Sequence, residues 1–231
     1  MLSTLAVPAA AAVVVGQSVQ HRPIEVVHVA GPGPRVLVVG CIHGDEPGGV
    51  AVVRALERAH PQEDLWLVPA LNPDGLARGT RQNAHGIDLN RNFPAGWRPL
   101  RPPWSVFAAG PRPFSEPETR AARDLIRRLR PQITIWYHQH LDLVWAYGRS
   151  SVAGRRYARL AGMRYAHRRW LAGSATNWQN HLPDGGASFT VELPAGELSP
   201  AAVQGHVRAV LALGSRSAPR KSAAPLRSSR A

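Results

Sequence analysis

A histidine and a glutamate three positions apart, His43 and Glu46, stand in the run Ile42-His43-Gly44-Asp45-Glu46-Pro47-Gly48-Gly49. Imidazole nitrogen and carboxylate oxygen both suit zinc, and two histidines with one glutamate and an open position form a known catalytic set. This pair supplies two of the three ligands and needs a distant histidine for the third. Alone, such spacing is weak, because a solvated glutamate near a structural histidine explains it as well.

The surrounding pattern sets the pair in a particular place. Arg35-Val36-Leu37-Val38-Val39-Gly40-Cys41 is a strongly apolar run that predicts a buried strand. Pro47 and two glycines then open a helical pattern over 50–59. The pair therefore falls in a strand-to-helix loop, where open α/β sheets place their ligands.

Two histidines further on can complete the set. Gln132-Ile133-Thr134-Ile135-Trp136-Tyr137-His138 predicts a β-branched and aromatic strand that ends on a histidine, and His140 follows two positions later. In an extended chain both point to one side, so the pattern alone does not choose between them. A carboxylate also stands in the late apolar strand Ala187-Ser188-Phe189-Thr190-Val191-Glu192-Leu193. Burying an unpaired carboxylate is costly, which singles out Glu192 as the informative acid of the second half.

The remaining elements must hold these groups. Strands are predicted at 24–29 and 64–69, and helices at 116–130, 151–166 and 199–213, the last capped by Ser199. The order strand–helix–strand implies a single α/β domain. Asn72-Pro73-Asp74-Gly75 has the composition of a turn. Ser115-Glu116-Pro117-Glu118 has that of a helix start, with Ser115 as cap and the two acids as cap and dipole residues. The polar stretch 78–103 has little periodicity and carries Arg81, Asn83, Asp88, Asn90, Arg91 and Asn92, as a functional loop would. A second loop is expected over 173–186. Asp142, just past the candidate ligands, is either a solvated loop acid or a partner for a substrate ammonium. His85, His181, Asp74 and Asp88 fit structural roles such as turn hydrogen bonds, and His21, His28, His60, His167 and His206 look incidental.

Composition limits the alternatives. The 231 residues, 44% of them hydrophobic, suit one globular domain with a sizeable core. A single cysteine, Cys41, excludes an internal disulfide and reads as a small core residue. The net charge is +13, part of it in a basic stretch, 214–231, that holds Arg216, Arg220, Lys221, Arg227 and Arg230 without an acid and is expected to be disordered. The other arginines are scattered and no nucleic-acid motif accompanies them, so nucleic acid is not the expected partner. The apolar, alanine-rich stretch 1–15 resembles part of a secretory signal without its positive start, or else a linker or first strand. It leans toward the cell envelope and leaves the compartment open. No segment is long and apolar enough to span a bilayer, and the oligomeric state is not legible.

Taken together, seven motifs resemble the M14 zinc carboxypeptidases, and among them the bacterial murein peptide amidase branch. They are HGDE at 43–46, NPDG at 72–75, RGTRQN at 78–83, GIDLNRNFP at 86–94, FSEPET at 114–119, YHQH at 137–140 and FTVELP at 189–194. They stand in the family's order and cover nearly the whole of 16–213. The resemblance implies a three-layer carboxypeptidase A-like α/β fold, with a mixed, mostly parallel sheet between helices. It implies one zinc ion on His43, Glu46 and His138, with His140 in reserve, and Glu192 as general acid/base. It further implies that Arg81 polarises the scissile carbonyl and that Asn90 and Arg91 grip a terminal carboxylate. The implied substrate is a peptide or murein peptide cut near a free C-terminus. A deacylase of N-acyl amino acids and a non-catalytic cell-wall-binding protein are the alternatives. The family's mobile tyrosine has no counterpart in Arg168-Arg169-Trp170-Leu171, so no tyrosine role is carried over.

Overall fold

A computed structural model describes residues 11–99 and 105–214. The stretches 1–10, 100–104 and 215–231 lie outside the described residues, and with them most of the signal-like start and of the basic tail. Eight strands form one sheet: β1 (Ala12–Gln17), β2 (Pro23–Val29), β3 (Arg35–Val39), β4 (Asp64–Val68), β5 (Ile133–Gln139), β6 (Leu143–Ala146), β7 (Arg164–His167) and β8 (Ala187–Leu193). Their order is β1-β2-β4-β3-β5-β8-β6-β7. The central four, β4, β3, β5 and β8, run parallel. Antiparallel neighbours flank them, with β2 against β4 and β6 against β8.

Residue alternation along the central strands explains the two helical layers. Val36, Val38, Ile135, Tyr137, Phe189 and Val191 point to one face and pack with α1 (Gly48–Leu56), α4 (Ser151–Ala161) and α6 (Pro200–Leu211). Leu37, Val39 and Trp136 point to the other, against α3 (Pro117–Leu129) and α5 (Ala175–His181). The long loop after α2 (Pro73–Arg78) is drawn into this second core by Leu89, Phe93 and Phe114. Phe93 stacks edge-on with Phe114 at 5.5 Å, so the loop is anchored by apolar burial although its sequence is polar. This is the expected three-layer carboxypeptidase A-like arrangement. No helix among the described residues is long and apolar enough to cross a membrane.

Several local readings are corrected. Asn72-Pro73-Asp74-Gly75 opens the short helix α2, because the Asn72 side chain accepts from the Gly75 N–H and proline fits the first turn. The cap position of α3 is Glu116, not Ser115, and no side chain caps that end. Glu116 and Glu118 are instead buried and both accept from the Asn83 amide, at 2.8 and 3.1 Å. The helix expected over 151–166 stops at Ala161, where Gly162 adopts φ +68°, and Arg164–His167 continue as an edge strand. The loop expected over 173–186 contains α5, capped by the Ser174 hydroxyl. The helix closing the domain has the expected Ser199 cap.

Candidate active site

His43 and Glu46 sit in the β3–α1 loop at the carboxyl end of the parallel strands. The loop closes tightly, with the Glu46 N–H donating to the His43 carbonyl at 3.1 Å. Gly44 lies directly on the backbone of α2, and an ideal Cβ there would fall 1.9 Å from the Gly75 carbonyl carbon. Only glycine allows this contact. Gln139 ties the loop to β5: its N–H donates to Glu46 Oε2 at 3.2 Å, and its side-chain oxygen accepts from the Gly48 N–H at 2.8 Å.

His138, the penultimate residue of β5, lies on the face opposite Tyr137, and this brings it to the loop. His43 Nδ1 lies 2.9 Å from Glu46 Oε1, His138 Nδ1 lies 2.8 Å from Glu46 Oε2, and the two Nδ1 atoms are 3.1 Å apart. One donor atom from each of the three buried residues falls within 4.8 Å of the others. Two imidazole nitrogens and a carboxylate turned on one point, at the edge of a cleft, make a donor set of the kind zinc takes. His140 is exposed and stands outside this group. Burial opposes ionisation of Glu46, but His138 and His43 outweigh it and hold the carboxyl well below its usual range.

The strand pairing places Glu192 beside this group. His138 and Glu192 are register partners on parallel β5 and β8, so their side chains leave the same face at the same level. Glu192 is 9% exposed and lines the same cavity of about 360 Å³ as His43, Glu46 and His138. Arg81, Asn90 and Arg91 line it too, so the long loop brings all three to the site. Asn90 Nδ2 lies 3.3 Å from His138 Nε2, and its oxygen accepts from the Ala175 N–H at 3.0 Å. The Arg91 guanidinium lies over Phe107 at 5.7 Å, and burial and the neighbouring Arg81 draw its pKa below the usual arginine value. Asp142 is exposed and does not line the cavity.

Sequence reasoning missed Asp88, which it set among turn residues. Its buried carboxylate reaches His43 Nε2 at 2.9 Å and Arg81 Nε at 3.0 Å, while Arg81 also donates to Glu46 Oε1 at 3.0 Å. Burial raises the Asp88 carboxyl, yet His43 and Arg81 prevail and keep it well below its ordinary value. Burial likewise works against the His43 imidazolium, but Asp88 and Glu46 raise its pKa overall. An acid between the apolar Ile87 and Leu89 was the available signal. Also missed was a further part of the lining, where Trp145 on β6 stacks on Trp170 at 6.4 Å and 17°, with Thr176 and Thr190 lining the same cavity. Cys41 is a core residue as expected, its thiol pushed up to about 12 by burial and by Glu46 and Asp45.

The sequence model of Peptidase_M14, described as zinc carboxypeptidase, matches residues 5–177. The chain belongs to this family. The zinc carboxypeptidases are hydrolases, and the chain's similarity to murein peptide amidase A is visible in two bacteria. It is 36% identical over 121 residues to that of Escherichia coli K12, covering 47% of the chain and 50% of the relative. It is 32% identical over 123 residues to that of Vibrio campbellii, covering 48% and 50%. The matched part thus spans about half the length of these curated relatives. The crystal structure of murein-tripeptide amidase MpaA from Escherichia coli O157 superposes with a TM-score of 0.71 at 26% identity, over 91% of this chain and 92% of that one. Carboxypeptidase A from Helicoverpa armigera shares the fold, with a TM-score of 0.73 at 20% identity over 89% and 68%.

Proposed function

We propose that this zinc carboxypeptidase-family chain hydrolyses the peptide bond next to a free C-terminal carboxylate, with murein peptides ending in diaminopimelate as its leading substrates. The observation that carries the reading is the convergence of His43, Glu46 and His138 with Glu192 on the adjoining strand. His43, Glu46 and His138 would hold a zinc ion, which would supply Lewis-acid polarisation and lower the pKa of water at the site.

The chain's own groups do the rest. Glu192 stands where a carboxylate takes a proton from the attacking water and returns it to the leaving amine. Arg81, oriented by Asp88, offers positive charge to the carbonyl oxygen as it becomes an oxyanion. The planar fork of Arg91 suits a carboxylate, and the Asn90 amide adds a further donor. Support for the substrate comes from the relatives named murein peptide amidase, and the Asn90–Arg91 pair in the cavity favours a substrate with a free C-terminus.

The test is a defined tripeptide ending in diaminopimelate, its C-terminal amide, and an N-acyl amino acid, each incubated with the zinc-loaded protein. Release of free diaminopimelate from the first alone is expected. Cleavage of only the N-acyl amino acid would replace the reading with a deacylase.

A further inference from the structure

Phe107 lines the cavity, is 39% exposed and belongs to neither apolar core. Its ring meets two guanidinium groups instead. The head of Arg81 lies 5.2 Å from the ring centroid and that of Arg91 5.7 Å. Both distances are within the reach of a cation–π contact. Hydrogen bonds on either side fix the turn that carries the ring. The Ser105 carbonyl accepts from the Ala108 N–H at 2.9 Å and from the Gln82 side chain at 2.9 Å. The Ala108 carbonyl accepts from the Asp88 N–H at 2.9 Å, and the Ala109 carbonyl from the Asn92 side chain at 2.8 Å. Gln82 adjoins Arg81 and Asn92 adjoins Arg91, so the turn is fastened to the neighbours of both arginines.

The two arginines are held differently. Arg81 has carboxylate oxygens of Glu46 and Asp88 at 3.0 Å. Among the described residues no carboxylate lies within salt-bridge distance of Arg91. The Arg91 guanidinium donates to the Asn90 carbonyl at 2.8 Å and lies over the Phe107 ring. An acid beside Arg91 would also hold it, but would neutralise its charge and compete for its donors. An aromatic face holds a guanidinium without a counter-charge. Resting on the proposed function, we propose that Phe107 is a positioning residue for the substrate's terminal carboxylate. It sets the Arg91 guanidinium in place beforehand and leaves its charge for the ligand. Preorganisation of this kind lowers the ordering cost of binding. The contact exists before and throughout the reaction, so it acts on KM and not on kcat. Arg81 is already fixed by two carboxylates, and the ring adds little there.

Steady-state rates on a tripeptide ending in diaminopimelate give kcat and KM. Titration calorimetry on two uncleavable analogues, in which an ethylene link replaces the last peptide bond, gives affinity independently of turnover. One analogue ends in a free carboxylate and the other in its amide, and all measurements use the zinc-loaded protein. The native protein should bind the acid in preference to the amide. Phe107→Leu keeps apolar bulk and removes the ring. It should weaken the acid about fivefold, the equivalent of about 1 kcal/mol for a cation–π contact, and leave the amide unmoved. KM should rise about fivefold with kcat unchanged. Phe107→Tyr, which keeps the ring, should behave as the native protein. A preference for the acid that survives Phe107→Leu, an equal loss on acid and amide, a fall in kcat at constant KM, or a Phe107→Tyr protein as weak as Phe107→Leu overturns the proposal and leaves the proposed function standing. Preferential binding of the acid that depends on Phe107, with no cleavage of the tripeptide, would overturn the function and keep the proposal. Equal binding of acid and amide by the native protein, or binding of neither, would sink both.

Discussion

Asp88 Oδ1 stands 2.9 Å from His43 Nε2, on the side of the imidazole turned away from Glu46 and His138. Both side chains are buried, and the same carboxylate holds Arg81. One acid thus fixes the ring orientation of a candidate ligand and the direction of a candidate oxyanion donor. It is fixed in turn by the loop backbone, since Asp88 Oδ1 also accepts from the Asn90 N–H at 2.9 Å.

Removing that charge while keeping the shape tests the arrangement. Asp88→Asn should weaken zinc binding by about tenfold to a hundredfold, the usual cost of losing a carboxylate behind a ligating histidine. Competition with a chromophoric chelator measures it. Unchanged affinity would reduce Asp88 to a loop fastener.

Glu192 should separate turnover from metal binding, because it lies beside the His-Glu-His group without belonging to it. Glu192→Gln should retain one zinc per chain and lose about a hundredfold to ten-thousandfold in kcat, the range for a general acid/base. Metal analysis and steady-state rates on one preparation decide the matter. Full turnover in the variant would remove Glu192 from the mechanism.

Acid stability has a source outside the site. Asp74 on α2 is buried and receives the Gln20 N–H, the Arg22 guanidinium and the Ser18 hydroxyl at 2.9, 2.7 and 2.8 Å. Burial raises its carboxyl, but these bonds outweigh it and the pKa is lowered on folding. A lowered folded pKa stabilises the fold above the unfolded value, about 3.9, and that stability drains away as pH falls through the folded value. Denaturant melts from pH 7 downward should therefore show a loss below about pH 4 that Asp74→Asn lacks, with the variant less stable at pH 7. Parallel curves for the two proteins would assign the acid loss elsewhere.

How legible all this was depended on whether one chain segment held the cause. His43, Glu46, His138 and Glu192 could be picked out because each lies within or just after an apolar strand, and alternation sets the face of the two that lie within one. The choice of His138 over His140 was not legible, since it turns on where β5 stops. The partners of Asp88, Asn83 and Glu116 come from segments far apart in sequence, so no local pattern records them. The short elements α2, α5 and β7 were misread or missed because one cap or one left-handed glycine decides them, against weak propensity. The tryptophan wall needed β6 to be placed beside β8, a pairing that only the tertiary fold supplies.

Gly44 links the fold to the site most directly. A methyl group there would meet the α2 backbone at 1.9 Å, and backbone cannot step aside as a flexible side chain does. Gly44→Ala should therefore push the β3–α1 loop outward, separating Glu46 from His138, and cost about 1–3 kcal/mol of stability as overpacking does. The two effects are separable. Thermal melts in chelator report the overpacking alone, and the upward shift in melting temperature on adding zinc reports whether the ligand set still closes. The native protein should show a large zinc-induced shift and the variant little or none. A variant with a lowered baseline but an undiminished zinc shift would mean that α2 moves and the loop does not, so that Gly44 serves packing alone.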